Sequence, residues 1–273
     1  MPSASAAAVL ARHNVVVRGP PGAPAMLFAH GFGCDQTMWR FVASAFEATH
    51  QVVLFDHVGC GGADLTAYDV QRHGSLHGYA DDVLDICASM DLRDVVYVGH
   101  SVSAMIGLLA SIRAPERFDR LVLVGPSPRY INDPPEYVGG FERADLEGLL
   151  DLMDGNQLGW ANYLAPIVMA NGERPELTQE LQASFCATDP FVARRFAEVT
   201  FLGDNRADLP AVTRPSLILQ CTRDAIAPPS VGAYLHAALQ GSTLRELDAS
   251  GHCPHMSHPE ETVALIRAYL DAR

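Results

Sequence analysis

Short, uninterrupted apolar runs alternate with stretches in which apolar residues recur every three or four positions, and this rhythm covers most of the chain. Runs of strand type lie at residues 14–18, 25–29, 51–55, 95–98, 120–124, 216–220 and 243–247. Most contain a continuous apolar run of three or more residues, the pattern of strands covered on both faces. Helical spacing marks 38–48, 76–90, 102–114, 231–239 and 259–271; Leu76, Tyr79, Val83, Ile86 and Met90 trace one such face. Strands alternating with helices predict an α/β fold, a mainly parallel sheet with helices on both faces.

The rhythm breaks once, between residues 127 and 208. A turn-rich stretch from Pro126-Ser127-Pro128 to Asp133-Pro134-Pro135 opens this segment, and helical patterns punctuated by Gly155, Pro166, Pro175 and Pro190 follow without a strand-like run. A helical insertion of this size between two strands reads as a cap over the carboxyl edge of the sheet, where ligands of open α/β sheets bind. The partition is therefore a core of residues 1–127 and 209–273 and a cap of residues 128–208.

The chemistry concentrates on that same edge. Ser101 lies in Gly99-His100-Ser101-Val102-Ser103, after the run Val95-Val96-Tyr97-Val98 and before an apolar helical stretch. Strand, sharp turn and helix with a serine at the apex form a nucleophile elbow. The last position of the usual G-x-S-x-G is Ser103 in place of glycine. A serine hydroxyl needs a base to take its proton and a third group to orient that base. Asp224 follows the strand run 216–220 and His252 follows the run 243–247, which is the order nucleophile, acid, histidine. Two oxyanion donors are expected as backbone N–H groups: Val102, after the nucleophile, and Phe32, in His30-Gly31-Phe32-Gly33 after an early strand. Large side chains of the cap and edge are expected to line an apolar pocket: Phe32, His100, Phe141, Trp160, Phe191 and Phe201.

Charge and cysteines narrow the classes. With 19 Lys and Arg against 32 Asp and Glu, the net charge of −13 argues against nucleic-acid and anionic-membrane partners. No apolar run reaches the length of a membrane span. Residues 1–10 are rich in Ala and Ser without a basic stretch, which reads as a frayed terminus rather than a signal peptide. Six cysteines at 34, 60, 87, 186, 221 and 253 show no C-x-x-C spacing, so free thiols in the cytoplasm are expected. Gly59-Cys60-Gly61-Gly62 lacks the remaining elements of a phosphate loop. His252-Cys253-Pro254-His255, with His258 nearby, offers metal-ligand chemistry, but Pro254 prevents a helical i, i+4 pair; neither metal nor cofactor is expected.

Four motifs together carry a resemblance: His30-Gly31-Phe32-Gly33-Cys34-Asp35-Gln36, the elbow with its Ser103, Gly125-Pro126-Ser127-Pro128 with Asp133-Pro134-Pro135-Glu136-Tyr137, and Gly251-His252-Cys253-Pro254-His255-Met256-Ser257. From about residue 12 to 269 the chain resembles the RsbQ-like subgroup of the α/β-hydrolase superfamily, bacterial stress regulators related to the plant karrikin and strigolactone receptor hydrolases. The resemblance implies a mainly parallel sheet of eight strands, or seven as the runs here count, and an inserted V-shaped cap of four helices. It also implies a deep apolar pocket and slow hydrolysis of a small hydrophobic ester or lactone. For the regulators it implies signalling beside a PAS-domain phosphatase.

Overall fold

A computed structural model describes residues 4–272. Seven strands form one sheet: β1 (Val16–Arg18), β2 (Ala25–Ala29), β3 (Gln51–Phe55), β4 (Val95–His100), β5 (Phe118–Val124), β6 (Ser216–Arg223) and β7 (Ser242–Ser250). Their spatial order is β1-β3-β2-β4-β5-β6-β7, and only the β1–β3 pair is antiparallel. The central strands β2 and β4 are buried along their whole length, as their unbroken apolar runs require. The helices are α1 (Ala4–Arg12), α2 (Arg40–Ala43), α3 (Leu76–Ser89), α4 (Val102–Arg113), α5 (Arg143–Gly155), α6 (Gln157–Met169), α7 (Pro175–Ala187), α8 (Pro190–Phe201), α9 (Pro229–Ala238), α10 (Pro254–Ser257) and α11 (Pro259–Asp271). None of these helices is long and apolar enough to cross a membrane.

Helices α5 to α8 fill the interval between β5 and β6, where the strand–helix rhythm breaks in the sequence. Each start has a local cause. The Asn156 side chain accepts from Gly159 N at the start of α6, Asp189 accepts from two N–H groups at the start of α8, and Pro175 opens α7 with a ring that fits the first turn.

Among the described residues the sheet has seven strands, the number of strand-type runs in the sequence. Two expectations are corrected. Helix α1 occupies most of the stretch read as a frayed terminus, whose first three residues lie outside the described ones. Its run Ala4-Ser5-Ala6-Ala7-Ala8 is strongly helix-forming, and Val9 and Leu10 pack on the core. The single helix expected over 38–48 is instead a 3₁₀ turn, Gln36–Trp39, then α2 and a series of tight turns. The tighter winding lets Met38, Trp39, Val42, Ala43 and Phe46 all point inward while Phe41 stays exposed.

Burial of imidazoles gives the fold a pH signature. His13, His30, His57, His100 and His255 are all buried, and desolvation lowers each pKa, that of His255 to about 3. The unfolded chain therefore binds more protons than the folded one below about pH 6.5. Stability is complete above that value and falls on acidification, by about 1.4 kcal/mol per pH unit for each such histidine. The melting temperature is expected to drop between pH 6.5 and 5, above the range where carboxylates titrate. A flat profile across that window, measured by circular dichroism, would contradict this.

Candidate active site

The sheet delivers the three chemical groups to one edge. β4 ends at His100, directly before Ser101; β6 ends at Arg223, directly before Asp224; and β7 ends at Ser250, two residues before His252. The turn at Ser101 is sharp: its φ of 56° and ψ of −120° are a conformation that side chains rarely tolerate. The Ser101 N–H donates to Val124 O at 2.8 Å, which fixes the bend. Gly99 is needed because a Cβ there would come within 2.5 Å of the Ser103 carbonyl oxygen.

Ser101 Oγ lies 2.8 Å from His252 Nε2, and His252 Nδ1 lies 2.7 Å from Asp224 Oδ2. All three side chains are buried. The carboxylate can only accept, so it holds the proton on Nδ1 and leaves Nε2 to receive the serine proton. Asp224 Oδ1 in turn accepts from the N–H groups of Ile226 at 2.8 Å and Ala227 at 3.1 Å. The His252 N–H donates to Val168 O of α6 at 2.7 Å, so a helix above the sheet edge positions the base.

The elbow's unusual Ser103 has a structural task. Its hydroxyl donates to His30 O at 2.5 Å, and His57 Nε2–H donates to it at 2.7 Å. His57 N–H donates to His30 Nε2 at 3.0 Å, which leaves His30 Nδ1–H for Gly31 O at 2.8 Å. One chain of neutral groups thus joins the start of α4 to the loop that carries Phe32. Gly33 in that loop has a φ of +68°, and a Cβ there would strike the Phe185 ring at 2.5 Å. Among the described residues, the Phe32 and Val102 N–H groups have no hydrogen-bond partner, as befits the open first turn of a helix and an adjacent loop.

Above Ser101 lies an apolar cavity of about 40 Å³. Phe32, His100, Phe141, Trp160 and Phe201 line it, together with Ser101 and His252. Phe191 does not. It is 54% exposed and packs on Tyr68 and Arg195, because it lies on the outer face of α8 while Phe196 and Phe201 face inward. Phe32 itself meets Trp160, Phe185, Phe196 and Phe201 with ring centroids 5.4–6.3 Å apart. Cys34 and Cys253 also line the cavity, and burial pushes both thiols up, away from the reactive thiolate.

Sequence reasoning missed Tyr130 as a member of the site. Its hydroxyl lies 3.2 Å from Ser101 Oγ, and its ring packs edge-on against Phe201. Burial raises its pKa, so it remains a neutral donor. The available signal was a hydroxyl-bearing aromatic in the loop leaving β5, the strand beside the elbow's own. Tyr130→Phe is expected to cut kcat/KM by about 2- to 10-fold, the worth of one hydrogen bond, with little change in melting temperature. An unchanged kcat/KM for an aryl ester would remove Tyr130 from the machinery.

A model of the Alpha/beta hydrolase family matches residues 26–265. The chain is 38% identical over 252 residues to the strigolactone esterase RMS3 of Pisum sativum, covering 92% of this chain and 94% of that protein. It is 36% identical over 259 residues to the Karrikin insensitive 2 receptor CA of Petunia hybrida, covering 94% and 95%. The solved structure of olei00960, a hydrolase from Oleispira antarctica, superposes with a TM-score of 0.96 at 43% identity, covering 98% of each chain. On these matches, which span nearly the whole chain, the protein is a hydrolase of the alpha/beta hydrolase family.

Proposed function

We propose that the protein hydrolyses a small hydrophobic ester or lactone through an acyl-enzyme on Ser101. The observation that carries this is the unbroken relay Ser101–His252–Asp224 opening into an apolar cavity beside two unpartnered N–H groups. Ser101 Oγ attacks the carbonyl carbon as its proton passes to His252 Nε2. The negative oxygen of the tetrahedral intermediate is held by the N–H groups of Phe32 and Val102. His252 then gives its proton to the leaving alcohol, which in a lactone stays attached to the acyl chain. Water, activated by the same imidazole, releases the acid. Residues 128–208 act as the cap that closes this chamber and limits the size of the acyl group. The six free cysteines suit a reducing compartment, the cytoplasm.

The test is intact-mass spectrometry during turnover of a panel of short aryl esters and lactones. The expected result is a transient adduct of acyl mass on the Ser101 peptide. Turnover without any adduct at Ser101, under conditions that trap slow deacylation, would defeat the acyl-enzyme route.

A second reading is favoured by the relatives: one carries the name esterase and another the name receptor. In it the protein is a ligand-responsive regulator whose slow hydrolysis makes or senses a signal, and whose partner, by the RsbQ-like resemblance, is a PAS-domain phosphatase. Ligand-dependent capture of such a phosphatase, retained under conditions where turnover is slow, separates this reading from a detoxifying lactonase with rapid turnover and no partner.

A further inference from the structure

We propose that His100, Cys253 and His255 form a binding site for a thiophilic d¹⁰ cation, with Zn²⁺ as its probe, and that loading it inhibits hydrolysis. One ligating atom from each of these residues lies within 4.8 Å of the others, and all three side chains are buried. The ligands come from two segments: His100 ends β4, while Cys253 is the N-cap of α10, the short helix that carries His255. His100 thus adds a ligand from outside the 252–258 segment that carries the other two.

A second observation points to a ligand. Both ring nitrogens of His255 and Nδ1 of His100 are buried without hydrogen-bond partners. A neutral imidazole carries one N–H and one lone pair, so His255 keeps an unsatisfied donor and an unsatisfied acceptor in a dry interior. Buried polar groups of this kind call for a partner. The Trp39 indole covers the outer face of His255 with centroids 4.5 Å apart, and the His100 ring lies 4.4 Å away. Burial keeps both imidazoles neutral, the state that ligates.

Two nitrogens and one thiolate suit Zn²⁺. Ligand atoms of such sites lie about 3.3–3.7 Å apart for bonds of about 2.0–2.3 Å, so contraction by roughly an ångström completes the set. Binding replaces the Cys253 S–H bond with S–Zn and releases one proton to solvent, which makes affinity rise with pH. His100 and Cys253 also line the cavity above Ser101. Contraction also acts on the base: Cys253 is bonded to His252, and His100 Nε2 donates to the His252 carbonyl at 2.8 Å. Moving His252 lengthens its 2.8 Å contact with Ser101.

Inhibition presupposes the hydrolysis proposed above; binding does not, and the experiment reads the two separately. Full-length protein stripped with EDTA is titrated with Co²⁺ and followed by absorption, then with Zn²⁺ during turnover of an aryl ester. The expected result is a thiolate-to-cobalt charge-transfer band in the wild type and in Ser101→Ala, unchanged in His258→Gln, absent in Cys253→Ser and reduced in His255→Gln. Zn²⁺ then inhibits the wild type, EDTA restores turnover, and His255→Gln is less sensitive. No band in the wild type, or an undiminished one in Cys253→Ser, overturns the site; if that variant does not fold, an undiminished band in His255→Gln does so. Equal inhibition of wild type and His255→Gln overturns the coupling to His252.

Discussion

Ser101→Ala is expected to lower turnover of a model aryl ester by about 10⁴- to 10⁶-fold while the fold survives. The size follows from what is removed: on the proposed mechanism the Ser101 hydroxyl is the group that forms the acyl bond. The cavity's two thiols are held protonated, and the Tyr130 hydroxyl is a neutral donor. A companion substitution separates chemistry from stability. At φ 56°, ψ −120° the serine is strained, at a cost of about 1–3 kcal/mol. Ser101→Gly relieves that strain and loses only about 0.5–1 kcal/mol through the freer unfolded chain. It should be as inactive as the alanine variant but melt at the same or a higher temperature. Alanine keeps the strain and should melt no higher than the wild type. Measurable turnover by either variant within a hundredfold of wild type would sink the assignment of Ser101, and a clear loss of stability in the glycine variant would sink the strain argument.

Much of this site was legible because its parts are tied to strand ends, and strand ends are marked by apolar runs. Ser101 and Asp224 each follow such a run and His252 follows the edge strand β7, and the register of a parallel sheet brings their ends together whatever lies between. What could not be read is what depends on side-chain direction. Phe191 and Phe196 have the same apolar character, but they point to opposite sides of α8. Tyr130 is named by no motif, and only the three-dimensional return of its loop over the elbow places its hydroxyl on Ser101. Ser103 departs from the glycine pattern, yet the departure becomes intelligible only with His30 and His57 beside it. The α1 helix was missed because an Ala-rich run has helix propensity without the apolar stripe that the eye follows.

The cavity's small volume bears on which of the two functional readings prevails. Ser101 is 6% exposed and His252 3%, and the free space above them suits an acyl group of a few atoms. Four cap rings meet on Phe32, whose own N–H is a proposed oxyanion donor. A shift of α6 to α8 that admits a larger ligand would therefore also act on the loop that carries Phe32. His252 is held by Val168 O of α6, so the base moves with it. On the proposed function, ligand size, the position of α6 to α8 and the geometry at Ser101 are linked through these contacts. A ligand that spreads the cap would be turned over slowly and would change the outer surface at the same time, which is the behaviour a sensor requires.

The role of Asp224 yields the second large effect, and two substitutions divide it. Oδ2 faces His252, while Oδ1 accepts from both Ile226 and Ala227 N–H. In Asp224→Asn the amide oxygen has one place to go: the side with two donors. The NH₂ must then face His252 Nδ1 and donate to it, so the imidazole carries its proton on Nε2 and presents a donor to Ser101 in place of a lone pair. The geometry is kept and the tautomer is wrong, and kcat/KM should fall by about 10³- to 10⁴-fold with a melting temperature near that of wild type. Asp224→Ala removes the same orientation but also leaves two buried N–H groups unpaired, each costing about 1–3 kcal/mol. It frees the turn that carries Ile226, a cavity residue. Its activity should be as low as that of the asparagine variant and its melting temperature clearly lower. If Asp224→Asn instead retained kcat/KM within about tenfold, His252 would be oriented by something other than Asp224, and the relay drawn from the 2.7 Å contact would have to be abandoned.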